Sequence, residues 1–388
     1  MSLANEASLL LIPSGYKSGK VYSVFPTDGD GDFTFSRYGN ASRVNPGGYI
    51  ETVGSLIPRI DHTGGGCPSL LLEPQRTNNL RYSEDLTNAV WSLLGAGTGV
   101  NPVVTANYSS SPSGEQTADR VVFNRGSGVG GNDYSIIRQI VSNVGQGVSS
   151  VYMKSNTSQN YSISIDEAGF NNNVTVTPEW QRFEYSESTN DRLQLSLRGG
   201  NNSSYADVSI WGAQMEAGSY KSSYIKTTSF SVTRQLDKCI NGGNADLFNI
   251  TEGTLFVDVI PFKASTLNRI TLSNNTSNEE IIFYFHSNNT QVQIISESGG
   301  SIQVSYIENI TFDIQNKLAF TFKKNEFKFY VNGNLVHTDT SGNIATGLNS
   351  LHFAGNNGGF GYFQGKVYDT RVYNKVLTEA ESIKLTTL

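Results

Sequence analysis

A chain of 388 residues exceeds the size at which a single hydrophobic core stops growing, so two or three domains are expected. Gly (39), Phe (20) and Tyr (19) abound while charged residues make up only 16%, a many-turned β composition that excludes a long helical bundle. The net charge of -6, with no Lys/Arg cluster interleaved with aromatics, argues against nucleic acid, whose binding rests on neutralised phosphates.

At the N-terminus a short apolar run, Leu9 to Ile12, is ended by Pro13, with no positive region before it and no cleavage pattern after it. No signal peptide is expected, and no stretch reaches the roughly 20 apolar residues of a membrane-spanning helix. KVYSVF then reads as a strand, followed by the turn TDGDGD. Asp28, Asp30 and Asp32 match the first three ligand positions of a calcium loop, but Phe33 stands where Gly is needed and Gly39 where a bidentate Glu belongs. A turn leading into a strand Phe33 to Ser36 is the expectation, with no metal.

The stretch PSLLLEPQRTNNL, Pro68 to Leu80, reads as a junction. Leu70 to Leu72 suit one buried strand, Pro74 stops its pairing, and the polar QRTNN takes the chain from one packed unit to another. Arg76 is expected to anchor the junction through an ion pair or a carbonyl rather than to serve a site. The runs DGDGDFTFSRYGNASRVNPGGYIETVGSLIPRIDH, CPSLLLEPQRTNN and RYSEDLTNAVWS together resemble the front part of virion fibre and spike proteins of tailed bacteriophages, especially those of Bacteroidetes hosts. The matching positions, Phe33 to Arg37, Arg43 to Asn45, Ile50 to Val53, Pro58 to Asp61, Leu70 to Asn78 and Tyr82 to Asp85, are packing and junction residues.

Strands are expected next at Asp119 to Phe123, Tyr134 to Val141, Ser149 to Lys154, Tyr161 to Asp166, Trp180 to Ser186, Arg192 to Arg198 and Ala206 to Met215. Alternation in YSISID and LQLSLR buries one face and wets the other, the pattern of a β-sandwich. EWQRFEYS and VSIWGAQMEAGSYKSSYIKT resemble jelly-roll domains of the carbohydrate-binding-module type. Trp180 and Trp211 lie in these runs, and apolar neighbours at alternate positions favour core tryptophans over sugar platforms.

The last part opens with EGTLFVDVIPF. In KLAFTFKKNEFKFYVNGNLVHTDTS two alternating strands are joined at Lys323 to Glu326, and Asn332-Gly333-Asn334 makes a tight hairpin. Thr378 with Glu381 three residues on is a capping box, so a short helix should close the chain. FYVNG, FQGKVYDTRVYN and LTEAE resemble the laminin-G or concanavalin-A-like sandwich over roughly the last 135 residues.

Glycosidases on that fold need carboxylates projecting together from a strand. Glu279 and Glu280 are adjacent and face opposite ways, and Asp369 is alone on its strand. A serine-hydrolase elbow and a phosphate loop are absent, and GSGVGGND has glycines but no Lys. Cys67 and Cys239 are read as two buried free thiols, and the four histidines have no metal spacing.

The expectation is thus a mainly β protein: an N-terminal docking and oligomerisation segment, 1–78, and two antiparallel β-sandwich domains, 79–240 and 241–388. No catalytic residue, metal or cofactor is expected, and membrane insertion is not. The resemblance implies a virion-surface protein, made in the bacterial host cytoplasm and released by lysis, self-associating as a trimer and contacting other virion proteins through its N-terminal segment. Its expected ligand is a host or environmental glycan, with a purely structural capsid or tail decoration protein as the alternative and, behind it, a polysaccharide depolymerase whose site is assembled from distant loops. In the glycine-rich run Asn356 to Gly361, backbone approaches a ligand closely, Asn356 and Asn357 offer amide groups, and Phe360 and Tyr362 offer stacking rings. The competing reading of that run is a wide turn with Tyr362 in the core.

Overall fold

Alternating apolar and polar residues build antiparallel strands throughout, with one short helix at the C-terminus. The structure, a computed structural model, describes residues 3–388 apart from 143, 166–171, 201, 249–250 and 265. The expected mainly β fold with sandwich domains is observed, and the strand expected to reach Asp166 runs from Tyr161 to Ile165, its last residue lying outside the described ones.

The chain forms two compact units, neither continuous in sequence: Met1–Gly48, Val53–Pro74 and Gln235–Leu388 in one, Tyr49–Thr52 and Gln75–Arg234 in the other. This differs from the expected division, because residues 1–48 and 53–74 do not stand as a segment of their own. Their strands complete the C-terminal sandwich. Leu9–Leu11 and Ser69–Leu72 both pair with Gly365–Tyr373, in the registers Leu9↔Val372 and Leu70↔Val367. Phe33–Ser36 pairs with Lys238–Ile240. Each front strand is three or four residues long, too short to bury a core alone, so it gains stability only on a sheet already built.

In this first unit an eight-stranded sheet runs Asn334–Asp339, Glu326–Val331, Asn316–Lys323, Glu252–Pro261, Gly365–Tyr373, Ser69–Leu72, Ile60–Asp61, with Leu9–Leu11 also on Gly365–Tyr373. A five-stranded sheet, Ser301–Asn309, Gln291–Ser298, Glu280–Phe285, Asn268–Ser273, Ser350–His352, faces it. Leu9, Leu70, Leu72, Val257, Phe320 and Phe329 from one sheet meet Ile270, Leu272, Ile281, Phe283 and Ile294 from the other. The Phe283 and Phe329 rings stack across the core at 5.9 Å. The expected hairpin closes at Asn332 and Gly333, both with positive φ, and the Thr378/Glu381 capping box starts the helix Glu379–Thr386. Cys239 is buried, and burial pushes its thiol well up, whereas Cys67 is exposed instead of buried because it follows three turn glycines, Gly64 to Gly66. At the aspartate-rich turn, Asp32 accepts from the Ser23 amide at 2.9 Å and pairs with Lys20 at 3.5 Å, and Asp28 accepts from the Asp30 amide at 3.0 Å.

Arg37, Arg59, Glu73 and Asp237 form one buried charge network inside this unit. The Asp237 carboxylate accepts from Arg37 at 3.0 Å, from Arg59, and from the Glu73 amide at 3.0 Å. Arg59 also donates to Glu73 and to the Ser42 carbonyl. Burial works against the Arg59 charge, but attraction to Asp237 and Glu73 outweighs it and holds the guanidinium ionised. The long range of these bonds, Arg37 to Asp237 above all, stitches the front residues to the sandwich.

The second unit is a sandwich of two five-stranded sheets. One runs Ser92–Ala96, Tyr134–Ile140, Arg192–Arg198, Tyr161–Ile165, Asn173–Val176, and the other Val100–Ser109, Ala118–Asn124, Tyr205–Ala217, Gly147–Ser155, Gln181–Glu187. Ile137, Leu195 and Ile163 pack on Val121, Val151, Met153 and Val208 between them. The polar residues after Pro74 do form a strand, Arg76–Asn78, which pairs with Val232–Arg234. Asn78 explains why: its amide donates to the Ala213 and Ile225 carbonyls, and its oxygen accepts from the Leu80 and Met215 amides. Arg76 pairs with Glu216 at 3.6 Å and stacks on Tyr220, an anchor as expected.

Two outcomes follow for the first unit. Asp237→Ala leaves Arg37 and Arg59 buried without their shared partner, and is expected to cost about 3–5 kcal/mol in denaturant unfolding. A fragment starting at residue 241 lacks the strands that pair with Gly365–Tyr373, so it is expected to show no cooperative thermal transition; a sharp melt of that fragment would refute the interlocked sandwich.

Candidate functional site

The five-stranded sheet of the first unit turns Ile270, Leu272, Ile281, Phe283 and Phe285 into the core. Side chains alternate along a strand, so Arg269, Thr271 and Ser273, then Glu280, Ile282 and Tyr284, and then His352 stand on the opposite face. Such a face is ordinarily wet. Here Thr271, Ser273 and His352 are 0% exposed, Ile282 2% and Glu280 3%.

The chain from Phe353 to Phe363 lies against this face. It is closed at its root by Phe363 N–H donating to the Phe353 carbonyl at 3.0 Å, and near its tip by Gly355 N–H donating to Phe360 at 2.7 Å. The Ser273 hydroxyl donates to the Asn356 carbonyl, and the Arg269 amide donates to the Gly361 carbonyl at 3.0 Å. Gly355 is required where it stands, because a Cβ there would lie 2.7 Å from the Phe360 ring.

The four residues expected to bind are placed differently from one another. Phe360 is 40% exposed, and its ring lies 5.3 Å from the Arg269 guanidinium. Asn357 is exposed, and its side-chain oxygen accepts from the Gly359 amide at 2.9 Å, shaping the turn. Asn356 is buried, with only 8% exposure. The Tyr362 ring is half-buried and carries the Lys238 ammonium at 5.0 Å. Phe360 and Asn357 thus stand at the surface, while Asn356 and Tyr362 build the loop's base.

Sequence reasoning missed the residues beneath. The Arg269 guanidinium lies over two rings, Phe360 at 5.3 Å and Tyr284 at 5.2 Å. Its buried Nε has no hydrogen-bond partner, and among the described residues no ion pair reaches the guanidinium. Glu280, with an unpartnered buried Oε2, has its carboxyl pushed up to about 7, first by burial and then by Glu297, its direct cross-strand partner, with Arg269 partly offsetting both. His352 accepts from the Asn241 amide and donates through Nε2 to Asn275 at 3.1 Å, and burial lowers it to about 4, so it stays neutral. The alternation in EEIIFYF sufficed to put Glu280 and Tyr284 on one face; their meeting with Arg269 needed the strand register.

Asp369 is the single carboxylate of its strand, as expected, and register gives it and Glu280 acidic neighbours across the sheet. Glu280 stands opposite Glu297, and Asp369 stands opposite Asp258 on Glu252–Pro261. Asp369 is held by Arg371 at 3.0 Å, and Asp258 by the Gln315 amide at 2.8 and 2.9 Å. In the second unit Trp211 is 2% exposed and packs with Tyr224 and Tyr152 outside the main core, while half-buried Trp180 donates its indole N–H to the Ser110 carbonyl and carries Lys154 at 5.2 Å.

Residues 244–381 match the family model described as the concanavalin A-like lectin/glucanases superfamily, and this part of the chain has that lectin-like sandwich fold. No curated protein matches the sequence. Among solved structures, the CBM40 domain of the Ruminococcus gnavus IT-sialidase bound to alpha2,3 sialyllactose is similar at 16% identity, over 37% of this chain and 86% of that one, with a TM-score of 0.33. Domain 4 of AbnA, a GH43 extracellular arabinanase from Geobacillus stearothermophilus, in complex with arabinotriose, is 16% identical over 44% of this chain and 84% of that one, with a TM-score of 0.32. The Bacillus licheniformis beta-glucanase is 19% identical over 36% of this chain and 72% of that one, with a TM-score of 0.28.

Glu280 makes a pH prediction. Its carboxyl holds a proton more tightly in the folded chain than at its ordinary value of 4.5, so its contribution falls as pH rises from about 4.5 to about 7 and is level above. The full effect is roughly 3 kcal/mol. Glu280→Gln carries no such charge, so its melting temperature is expected to match the parent at pH 4.5 and exceed it at pH 8; parallel curves would show that the carboxyl is not perturbed.

Proposed function

We propose that this is a phage virion protein of the fibre or spike class that adheres to surface glycans through its C-terminal lectin-like sandwich. The observation that carries the binding reading is the Phe360–Arg269–Tyr284 stack, an exposed ring fixed by a cation over a sheet face of buried polar groups. Sugars bind to such surfaces by resting their C–H faces on an aromatic ring and hydrogen-bonding their hydroxyls at its edge. The virion reading is supported by the front runs quoted above, whose residues include Arg37, Arg59 and Glu73 of the buried charge network. Self-association as a trimer belongs to the same reading, since weak sites gain avidity by repetition.

Binding without hydrolysis fits the carboxylates. Asp258 and Asp369 are engaged by Gln315 and Arg371, and Glu280 is too enclosed to reach a glycosidic oxygen. Incubation with host capsular polysaccharide is therefore expected to release no reducing ends; release abolished by Glu280→Gln would reverse this.

The binding test uses the full chain on an array of bacterial surface glycans. Phe360→Ala is expected to weaken binding about tenfold, roughly 1.4 kcal/mol, with little change in melting temperature. Failure of the parent to bind any glycan, with the protein still found on virions by immunogold labelling, would favour a purely structural decoration protein.

A further inference from the structure

Among the described residues Arg269, a cation at the centre of the site, makes no side-chain hydrogen bond or ion pair. Long charged side chains are seldom held against a buried face without a partner, because an uncompensated guanidinium loses solvation for nothing in return. Here the guanidinium carbon lies over the Tyr284 and Phe360 rings, its Nε is buried and unpartnered, and the Gly361 main chain passes over its stem. Among the described residues its terminal nitrogens make no hydrogen bond or ion pair, and these are the groups with which a guanidinium grips an oxyanion through two parallel hydrogen bonds. The chain has 34 acidic residues against 28 basic ones, so a partner was available in composition, and among the described residues none pairs with it. Glu280 lies within electrostatic range, yet it is buried opposite Glu297 and makes no hydrogen bond or ion pair to Arg269.

Resting on the glycan-binding reading, we propose that this site selects acidic sugars: Arg269 takes the oxyanion of the sugar residue, a carboxylate or a sulfate, while Phe360 takes its ring. Contact of the guanidinium with two rings restricts the rotamer freedom that an arginine otherwise loses on binding, so the cation is organised before the ligand arrives. Asn357, exposed beside Phe360 in the same turn, is within the loop that a neighbouring hydroxyl would meet.

The test is binding of the full chain to oligogalacturonate, to oligosialic acid, to a carrageenan oligosaccharide, and to the carboxyl-reduced neutral form of oligogalacturonate, at low and high salt. The expected result is that at least one acidic probe binds, more weakly as salt rises, while the neutral form binds at least about tenfold less tightly. Carboxylated and sulfated probes separate the two sources of oxyanion. Arg269→Gln is expected to abolish the preference for the acidic probe, Arg269→Lys to keep part of it, and the melting temperatures of both variants establish that they fold. Equal binding of acidic and neutral probes, or an unchanged preference in Arg269→Gln, overturns the inference while leaving glycan binding intact. Binding of none of these probes, with neutral glycans bound on the array, also overturns it; absence of binding to every glycan removes the underlying reading instead.

Discussion

Asp237 is where the first unit is pinned together. Its carboxylate is shared by Arg37, Arg59 and the Glu73 amide, and all three partners come from the front of the chain. Removing four ionic groups from water costs several kcal/mol for each, and their mutual attraction repays this only when every partner is in place. A network of this kind contributes less to net stability than to uniqueness, since any other placement of the front residues would strand a buried charge. It therefore fixes where Ser69–Leu72 lands on Gly365–Tyr373.

The same residue sets the geometry of the candidate site. Immediately after Asp237 the chain enters Lys238–Ile240, the strand paired with Phe33–Ser36. Its Cys239 carbonyl accepts from the Phe353 amide at the root of the loop, Lys238 lies over the Tyr362 ring, and Ile240 sits 2.9 Å from where a Cβ on Gly358 would be. Gly358 has φ of 68°, so the position demands glycine on both backbone and steric grounds. The loop is thus held from one side by the sheet, through Ser273 and Arg269, and from the other by a strand anchored in the charge network. Phe360 is exposed at the tip of a rigid support, the arrangement that lets a surface ring keep one orientation.

How much of this was legible depended on distance along the chain. The Asn332-Gly333 hairpin and the Thr378/Glu381 cap were readable because the residues that make them are neighbours, and turn and cap chemistry is local. The buried run Leu70 to Leu72 was also readable, but its partners Val367 to Gly365 lie at the far end of the chain, and nothing in a short apolar strand names its mate. Hence the front residues looked like an independent segment. At the site, Phe360 and Asn357 were visible as polar and aromatic groups in a glycine-rich loop. Arg269 was not, since its significance lies in two rings contributed from other segments and in a partner that is missing, which only register and packing disclose.

Arg269 and Glu280 together show what the face is built to maintain. Packing alone would favour pairing them, or replacing both by apolar groups, since an unpartnered carboxyl and an unpartnered guanidinium each forfeit solvation. Glu280 instead has its carboxyl pushed up by burial and by Glu297, with Arg269 partly offsetting both, and makes no hydrogen bond or ion pair to Arg269. His352, on the adjoining strand, is neutral and spent on Asn241 and Asn275, while Lys238 is occupied with Tyr362. Among the described residues Arg269 is thus left without an ion-pair partner in a protein whose net charge is -6. Departures from locally optimal pairing concentrate where a fold serves something other than its own stability, and this departure sits under the most exposed aromatic ring of its loop.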